Sequence, residues 1–193
     1  MQALRYELQI FIHLQRPISE IKLHLNSRLS TFDKYEEIKK TVLGWLLGLN
    51  KIEASFGKGL KRVSQVPGIL KKAIGSSDPI LGLIASPHDE VIFLKLKEDL
   101  HKILKEEPPR NDMAEIYYWL SLSERAVGYN LFYSLADGYL KSCMDNFSTQ
   151  SFAKRCFNEY ESFIEFAYSG SSGTHIPADV KRDLENYRKK IKP

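Results

Sequence analysis

The chain has 193 residues, of which 43% are hydrophobic and 27% charged, with a net charge of +4 and a pI near 8.9. That balance excludes a disordered polymer, and the length lets a core form without metal or disulfide support. No apolar run approaches the roughly 18 residues a membrane-spanning helix needs, the longest being Thr41 to Leu49. The opening Met1-Gln-Ala-Leu-Arg-Tyr-Glu7 is not a secretory signal, because its apolar residues alternate with polar ones. Two cysteines, Cys143 and Cys156, fall in helical patterns without metal-ligand spacing, which reads as free, buried thiols in a reducing compartment.

Residues 4 to 15 alternate. Leu4, Tyr6, Leu8, Ile10, Ile12 and Leu14 point one way, and this period of two predicts a half-buried strand ended by Arg16-Pro17. A lone strand must pair with another, so Leu8, Ile10 and Ile12 are expected to support self-association into a homo-oligomer. Two helices follow, over about 18 to 29 and 34 to 48. The second places Tyr35, Ile38, Val42, Trp45, Leu46 and Leu49 on one face.

The stretch from Lys51 to Ser77 comes next. Lys51, Lys58, Lys61, Arg62, Lys71 and Lys72 face one acid, Glu53, so the segment carries +5, more than the whole chain. Phe56, Leu60, Val63, Ile69 and Leu70 recur at helical spacing, while Pro67-Gly68 must kink or divide the helix. One reading is a pair of surface helices with solvated lysines. The sharper one is a membrane-binding element, with Lys58, Lys61, Arg62, Lys71 and Lys72 contacting anionic groups and the apolar five inserting. Nucleic acid is a weaker third, since Phe56 is the segment's one aromatic and nothing in it reads base edges.

After a Ser, Gly and Pro loop from Gly75 to Pro87, Ser86-Pro87-His88-Asp89 starts a helix with cap and first-turn proline. Phe93, Leu96, Leu100, Ile103 and Leu104 form its stripe, and Pro108-Pro109 stops it. Between Tyr117 and Tyr168 lie fourteen of the 22 aromatics, which locates the main core. Ser121-Leu-Ser-Glu124 has the form of a capping box and is expected to divide two helices. Phe152, Cys156, Tyr160, Phe163 and Ala167 share a face. Ser169-Gly-Ser-Ser-Gly173 is a loop, and Pro177 opens a last helix carrying Val180, Leu184, Tyr187 and Ile191.

Chemistry is sparse. Gly170-Ser-Ser-Gly173 lacks the spacing of a nucleophile elbow, and Gly57-Lys-Gly-Leu-Lys61 lacks that of a phosphate loop. His13, His24, His88, His101 and His175 are scattered, so no metal or cofactor is expected, and the chain reads as non-enzymatic. A helical ribonuclease of the HEPN type would need His where Asn130 follows Arg125, and an amide is no general base.

Two resemblances bear on partners. Asn130-Leu-Phe-Tyr133, Ala153-x3-Phe157-x2-Tyr160 and Val180-x3-Leu184 resemble the middle helices of regulators of G-protein signalling, with Tyr129 where that family has Glu and Tyr133 where it has Trp. This implies a helical protein-binding module in which Asn130 contacts a Gα subunit. Tyr6-Glu7, Arg16-Pro17 and Val42-Leu-Gly-Trp-Leu-Leu-Gly48 are similar in order to the strand–helix–helix opening of rhabdovirus matrix proteins, which implies a membrane-associated assembly protein.

The expectation is therefore an α+β but predominantly helical fold: a strand with two helices over 1–50, the basic amphipathic segment and loop over 51–87, and an aromatic-rich helical bundle over 88–193, together one domain. The expected role is that of a cytoplasmic protein, peripheral at a membrane, whose partner is an anionic membrane surface or an acidic protein.

Overall fold

Helices α1 (Gln2–His13) and α2 (Ile18–Leu29) open the chain, and α3 (Glu36–Phe56) follows a 3-10 turn. A computed structural model describes residues 2–56, 59–76, 85–127, 135–170 and 173–191. A second 3-10 turn, Val63–Gln65, leads into α4 (Val66–Ile74), and then come α5 (Pro87–Lys105), α6 (Met113–Val127), α7 (Leu135–Asn146) and α8 (Ser151–Ala167). Strands β1 (Ser169–Gly170) and β2 (Gly173–Thr174) form a minimal antiparallel hairpin before α9 (Ala178–Lys190).

The fold is predominantly α-helical as expected, but the expected N-terminal strand is a helix, and the strands among the described residues lie near the C-terminus. The reason is legible in the residues. Leu4, Leu8 and Ile12 are the buried positions of α1, and a spacing of four fits a helix as well as a period of two. A helix satisfies its own backbone, whereas a strand here would need a partner that the described residues do not offer.

Helix α5 is the hub. It packs most extensively on α3 and α6 and also meets α1, burying Val91, Ile92, Phe93, Leu94, Leu96, Leu100 and Ile103. Its start is capped as expected: Ser86 Oγ accepts from the Asp89 amide, with Pro87 in the first turn. Two glycines let it approach α3. A Cβ at Gly48 would lie 2.5 Å from the His88 carbonyl oxygen, and one at Gly44 would lie 2.7 Å from Pro87 Cβ. Beside this contact, Glu90 is 4% exposed. Arg5 Nε lies 2.6 Å from its carboxylate and Trp45 Nε1 donates to it at 3.2 Å, so the buried charge is paired and hydrogen-bonded as its burial demands.

The aromatic second half forms the rest of the core. α6 runs unbroken through Ser121-Leu-Ser-Glu124, so the expected helix boundary there is absent. Ser123 instead returns its hydroxyl proton to the Trp119 carbonyl at 2.8 Å, a bond that keeps serine tolerable mid-helix. Arg155 on α8 lies 4.5 Å from the Tyr118 ring centre and 5.0 Å from that of Phe152. Cys143 on α7 and Cys156 on α8 are both fully buried and joined as a disulfide, which corrects the expectation of free thiols. The short connection makes α7 and α8 neighbours, and their facing sides bring the sulfurs together. α9 docks through the expected stripe, with Leu184 buried and Val180, Tyr187 and Ile191 packed around the core.

Candidate functional site

The basic segment is divided three ways. Lys51 to Phe56 are the last turns of α3. The chain then turns at Gly59, whose φ of +96° belongs to glycine, and Pro67 enters α4 in its first turn, starting that helix instead of kinking one. Gln65 holds the turn: its Oε1 accepts from the amides of Lys61 and Arg62 at 2.9 and 3.0 Å.

Its apolar side faces inward. Phe56, Leu60, Val63 and Leu70 are buried and Ile69 is half-buried against the core. They are therefore not displayed for insertion into a membrane, as the sequence suggested. Exposing the four buried ones would forfeit roughly 6–12 kcal/mol at 1.5–3 kcal/mol per side chain, comparable with a domain's whole stability. A bilayer would return part of that, but not the loss at the core surface they leave behind.

Lys61, Arg62, Lys71 and Lys72 are all exposed, and none enters an ion pair among the described residues, unlike Lys22, Lys39, Lys95 and Lys97. Lys58 lies outside the described residues. Lys71 and Lys72 occupy the last turn of α4, where cations suit the helix dipole. Lys61 and Arg62 form one wall of a groove of about 500 Å³ whose other wall carries Glu106, Glu107 and Asp112. The cationic face thus has a purely basic end on α4 and a mixed-charge end beside the α5–α6 connection.

A second concavity, of about 410 Å³, lies where the α1–α2 turn meets the end of α3, the Gly59-Leu60 turn and the middle of α5. Ile12, Ile21, Leu49, Ile52 and Leu60 lie beneath it and are buried, and its polar rim carries Gln15, Arg16, Glu53, Lys95, Asp99 and Lys102. Asp99, 6% exposed, accepts from the Leu60 amide at 3.1 Å and pairs with Lys95. Glu53 is held by Lys22 at 2.8 Å. Of these rim residues the sequence draws attention only to Arg16, as the end of the expected strand, and Glu53, as the one acid of the basic segment; Asp99 beside Leu100 and close to Leu96 and Ile103, within an apolar stripe, was a usable signal, because a carboxylate on a buried face requires partners.

The self-association residues divide. Leu8 and Ile12 are in the core, while Ile10 is 54% exposed on the outer side of α1, and no strand edge exists there to pair. Titratable groups elsewhere form packing clusters. His101, whose pKa burial lowers, sits 3.4 Å from the Tyr139 hydroxyl, itself pushed by burial up to about 12. Burial also raises Glu115, which accepts from Trp119 Nε1 at 3.2 Å. Among the described residues no group of three or more His, Cys, Asp or Glu is placed to hold a metal ion, and no helix is long and apolar enough to cross a membrane.

Comparison with known protein families, curated proteins and solved structures finds no match in any of the three. The two resemblances drawn from the sequence therefore rest on local residues. Of the first, Tyr129, Asn130 and Tyr133 lie outside the described residues, while Phe157, Tyr160 and Leu184 are buried in the core. The second needs a strand where Tyr6-Glu7 is helical.

Proposed function

We propose that this protein is a non-enzymatic, helical binding protein that holds an anionic membrane surface through the exposed cations Lys61, Arg62, Lys71 and Lys72, without inserting. The observation that carries this reading is that four exposed cations, none in an ion pair among the described residues, project from a segment whose apolar side is buried. At about 1 kcal/mol per basic residue near an anionic leaflet, four supply about 4 kcal/mol, equivalent to a dissociation constant near 1 mM. Such binding is reversible, salt-sensitive and peripheral. Self-association would strengthen it by multivalency, but of the three residues expected to drive it only Ile10 is exposed, so the reading does not depend on it. Cytoplasmic placement loses one support, since the Cys143–Cys156 disulfide suits an oxidising compartment better than a reducing one.

A second reading has its own observation. Glu106, Glu107 and Asp112 opposite Lys61 and Arg62 make a mixed-charge groove, which favours a protein partner carrying both signs over a uniformly anionic one. The two readings separate by charge reversal. Lys71→Glu with Lys72→Glu should abolish vesicle binding if the membrane reading holds. Loss only with Lys61→Glu and Arg62→Glu, or with Glu106→Lys and Glu107→Lys, would place function in the groove instead.

A further inference from the structure

Ser64 stands between the two pairs of cations in the basic segment. We infer that it is a phosphorylation site for a kinase that selects basic substrates, and that the phosphate releases the chain from an anionic membrane. The release rests on the membrane reading above; the modification does not. Ser64 follows Lys61-Arg62-Val63, so cations stand three and two positions before it, and no acid occurs from residue 54 to residue 77. Ser19, Ser30, Thr31 and Thr41 have a cation at one of those two positions, and no other serine or threonine has one at both. Kinases of this class carry acidic side chains beside their own catalytic cleft, which read positive charge at fixed offsets from the hydroxyl.

The local structure keeps that hydroxyl available. Ser64 is exposed, and its Oγ makes no hydrogen bond among the described residues. It lies in the short 3-10 turn Val63–Gln65, entered from an extended Arg62 with φ −144° and ψ 143°. A few local bonds close the turn, from the Gln65 and Val66 amides back to the Arg62 and Val63 carbonyls. Between Lys61 and Gln65, Val63 is the one buried side chain that must lift for the segment to extend into a kinase cleft. In the transfer, Ser64 Oγ attacks the γ-phosphorus of magnesium ATP. The bond from that phosphorus to the β-bridging oxygen breaks, ADP leaves, and the hydroxyl proton passes to the kinase's catalytic carboxylate. Ser64, Lys61 and Arg62 line one groove, with Glu106, Glu107 and Asp112 on its walls as well. The two cations beside it attract the phosphate, and the acids opposite repel it towards them. An added charge of about −1.5 to −2 near neutral pH cancels up to about half of the positive charge of Lys61, Arg62, Lys71 and Lys72.

The test incubates the full-length chain with magnesium ATP and the catalytic subunit of cyclic-AMP-dependent protein kinase, and locates phosphate by fragment mass spectrometry. Both forms are then sedimented at low salt with phosphatidylserine-containing vesicles and with pure phosphatidylcholine vesicles. Phosphate should appear at Ser64 and weaken binding to the anionic vesicles about ten- to thirtyfold, the equivalent of about 1.5–2 basic residues at roughly 1 kcal/mol each. Ser64→Ala should take up no phosphate at that position and bind vesicles like the native chain, and Arg62→Gln should slow the transfer. Ser64→Asp, which adds one charge, should weaken binding about fivefold without any kinase, whereas the uncharged Ser64→Asn should not. No phosphate at Ser64, faster transfer to Ser19 or Ser30, or a phosphorylated chain that pellets like the native one would each overturn the inference. A native chain that ignores anionic vesicles yet takes up phosphate at Ser64 would defeat the membrane reading, and the release with it, while supporting Ser64 as the acceptor.

Discussion

Replacing Gly48 by alanine tests whether the close approach of α3 and α5 organises this fold. In an exposed helix the change would stabilise by up to about 1 kcal/mol, because alanine loses less backbone entropy than glycine. Here the new Cβ would lie 2.5 Å from the His88 carbonyl oxygen and 3.1 Å from Val91 Cβ. Neither neighbour can rotate away: one is backbone, and the other belongs to a side chain with no exposed surface. The helices must separate, at the 1–3 kcal/mol typical of overpacked cores. Set against a propensity gain of about 1 kcal/mol, the net effect is a loss of up to about 2 kcal/mol. Gly138 on α7 is the internal control, since a Cβ there meets nothing within 4 Å, so Gly138→Ala should gain up to about 1 kcal/mol. Urea unfolding of the two variants should move the midpoint in opposite directions. If Gly48→Ala stabilises as much as Gly138→Ala, the helices are not in the contact described and the concavity beside them loses its frame.

Thiol titration of the unfolded, unreduced chain should find no free cysteine, and reduction should destabilise the fold by about 3 kcal/mol, the chain-entropy value for a loop of this length, given a sequence separation of 13 between the cysteines. Two reactive thiols in that titration would refute the bridge. Burial pushes the phenols of Tyr139 and Tyr187 from 10.0 up to about 12. The neutral form is favoured in the fold, so the stability linked to these groups is intact below pH 10 and declines as pH rises from about 10 towards 12. Ultraviolet titration of phenolate should show late-ionising tyrosines that disappear in Tyr139→Phe and Tyr187→Phe, and ordinary titration of all tyrosines in the folded chain would contradict their burial.

Where a local signal had one physical interpretation, the sequence could be read directly. The Ser86-Pro87 start of α5, its end before Pro108-Pro109 and the spacing of Val180, Leu184, Tyr187 and Ile191 fall in place, whereas the core is not confined to the aromatic half: Phe166 and Tyr168 are exposed, and Trp45, Leu49 and Phe93 are fully buried. The N-terminal segment was ambiguous because Leu4, Leu8 and Ile12 fit both periods, and the exposed Ile10 and Leu14 completed a false alternation. Only the availability of a pairing partner distinguishes the two, and that is a property of the whole chain. The Cys143–Cys156 bridge depended on two helices lying antiparallel, which spacing alone does not reveal. In the basic segment the amphipathic pattern was correct, but an apolar face looks the same whether it meets a core or a bilayer. The concavity at the α1–α2 turn was hidden because its rim comes from elements far apart in sequence, from Gln15 to Lys102.

Sedimentation with vesicles at two salt concentrations tests the central claim most directly. The native chain should pellet with anionic vesicles at low salt, be released as the salt is raised and the Debye length falls below about 8 Å, and ignore zwitterionic vesicles throughout. Intrinsic tryptophan fluorescence should stay unchanged on binding, because Trp45 and Trp119 remain in the core. Equal binding to both vesicle types, or binding that persists at high salt, would mean that apolar insertion drives the association and would contradict the account.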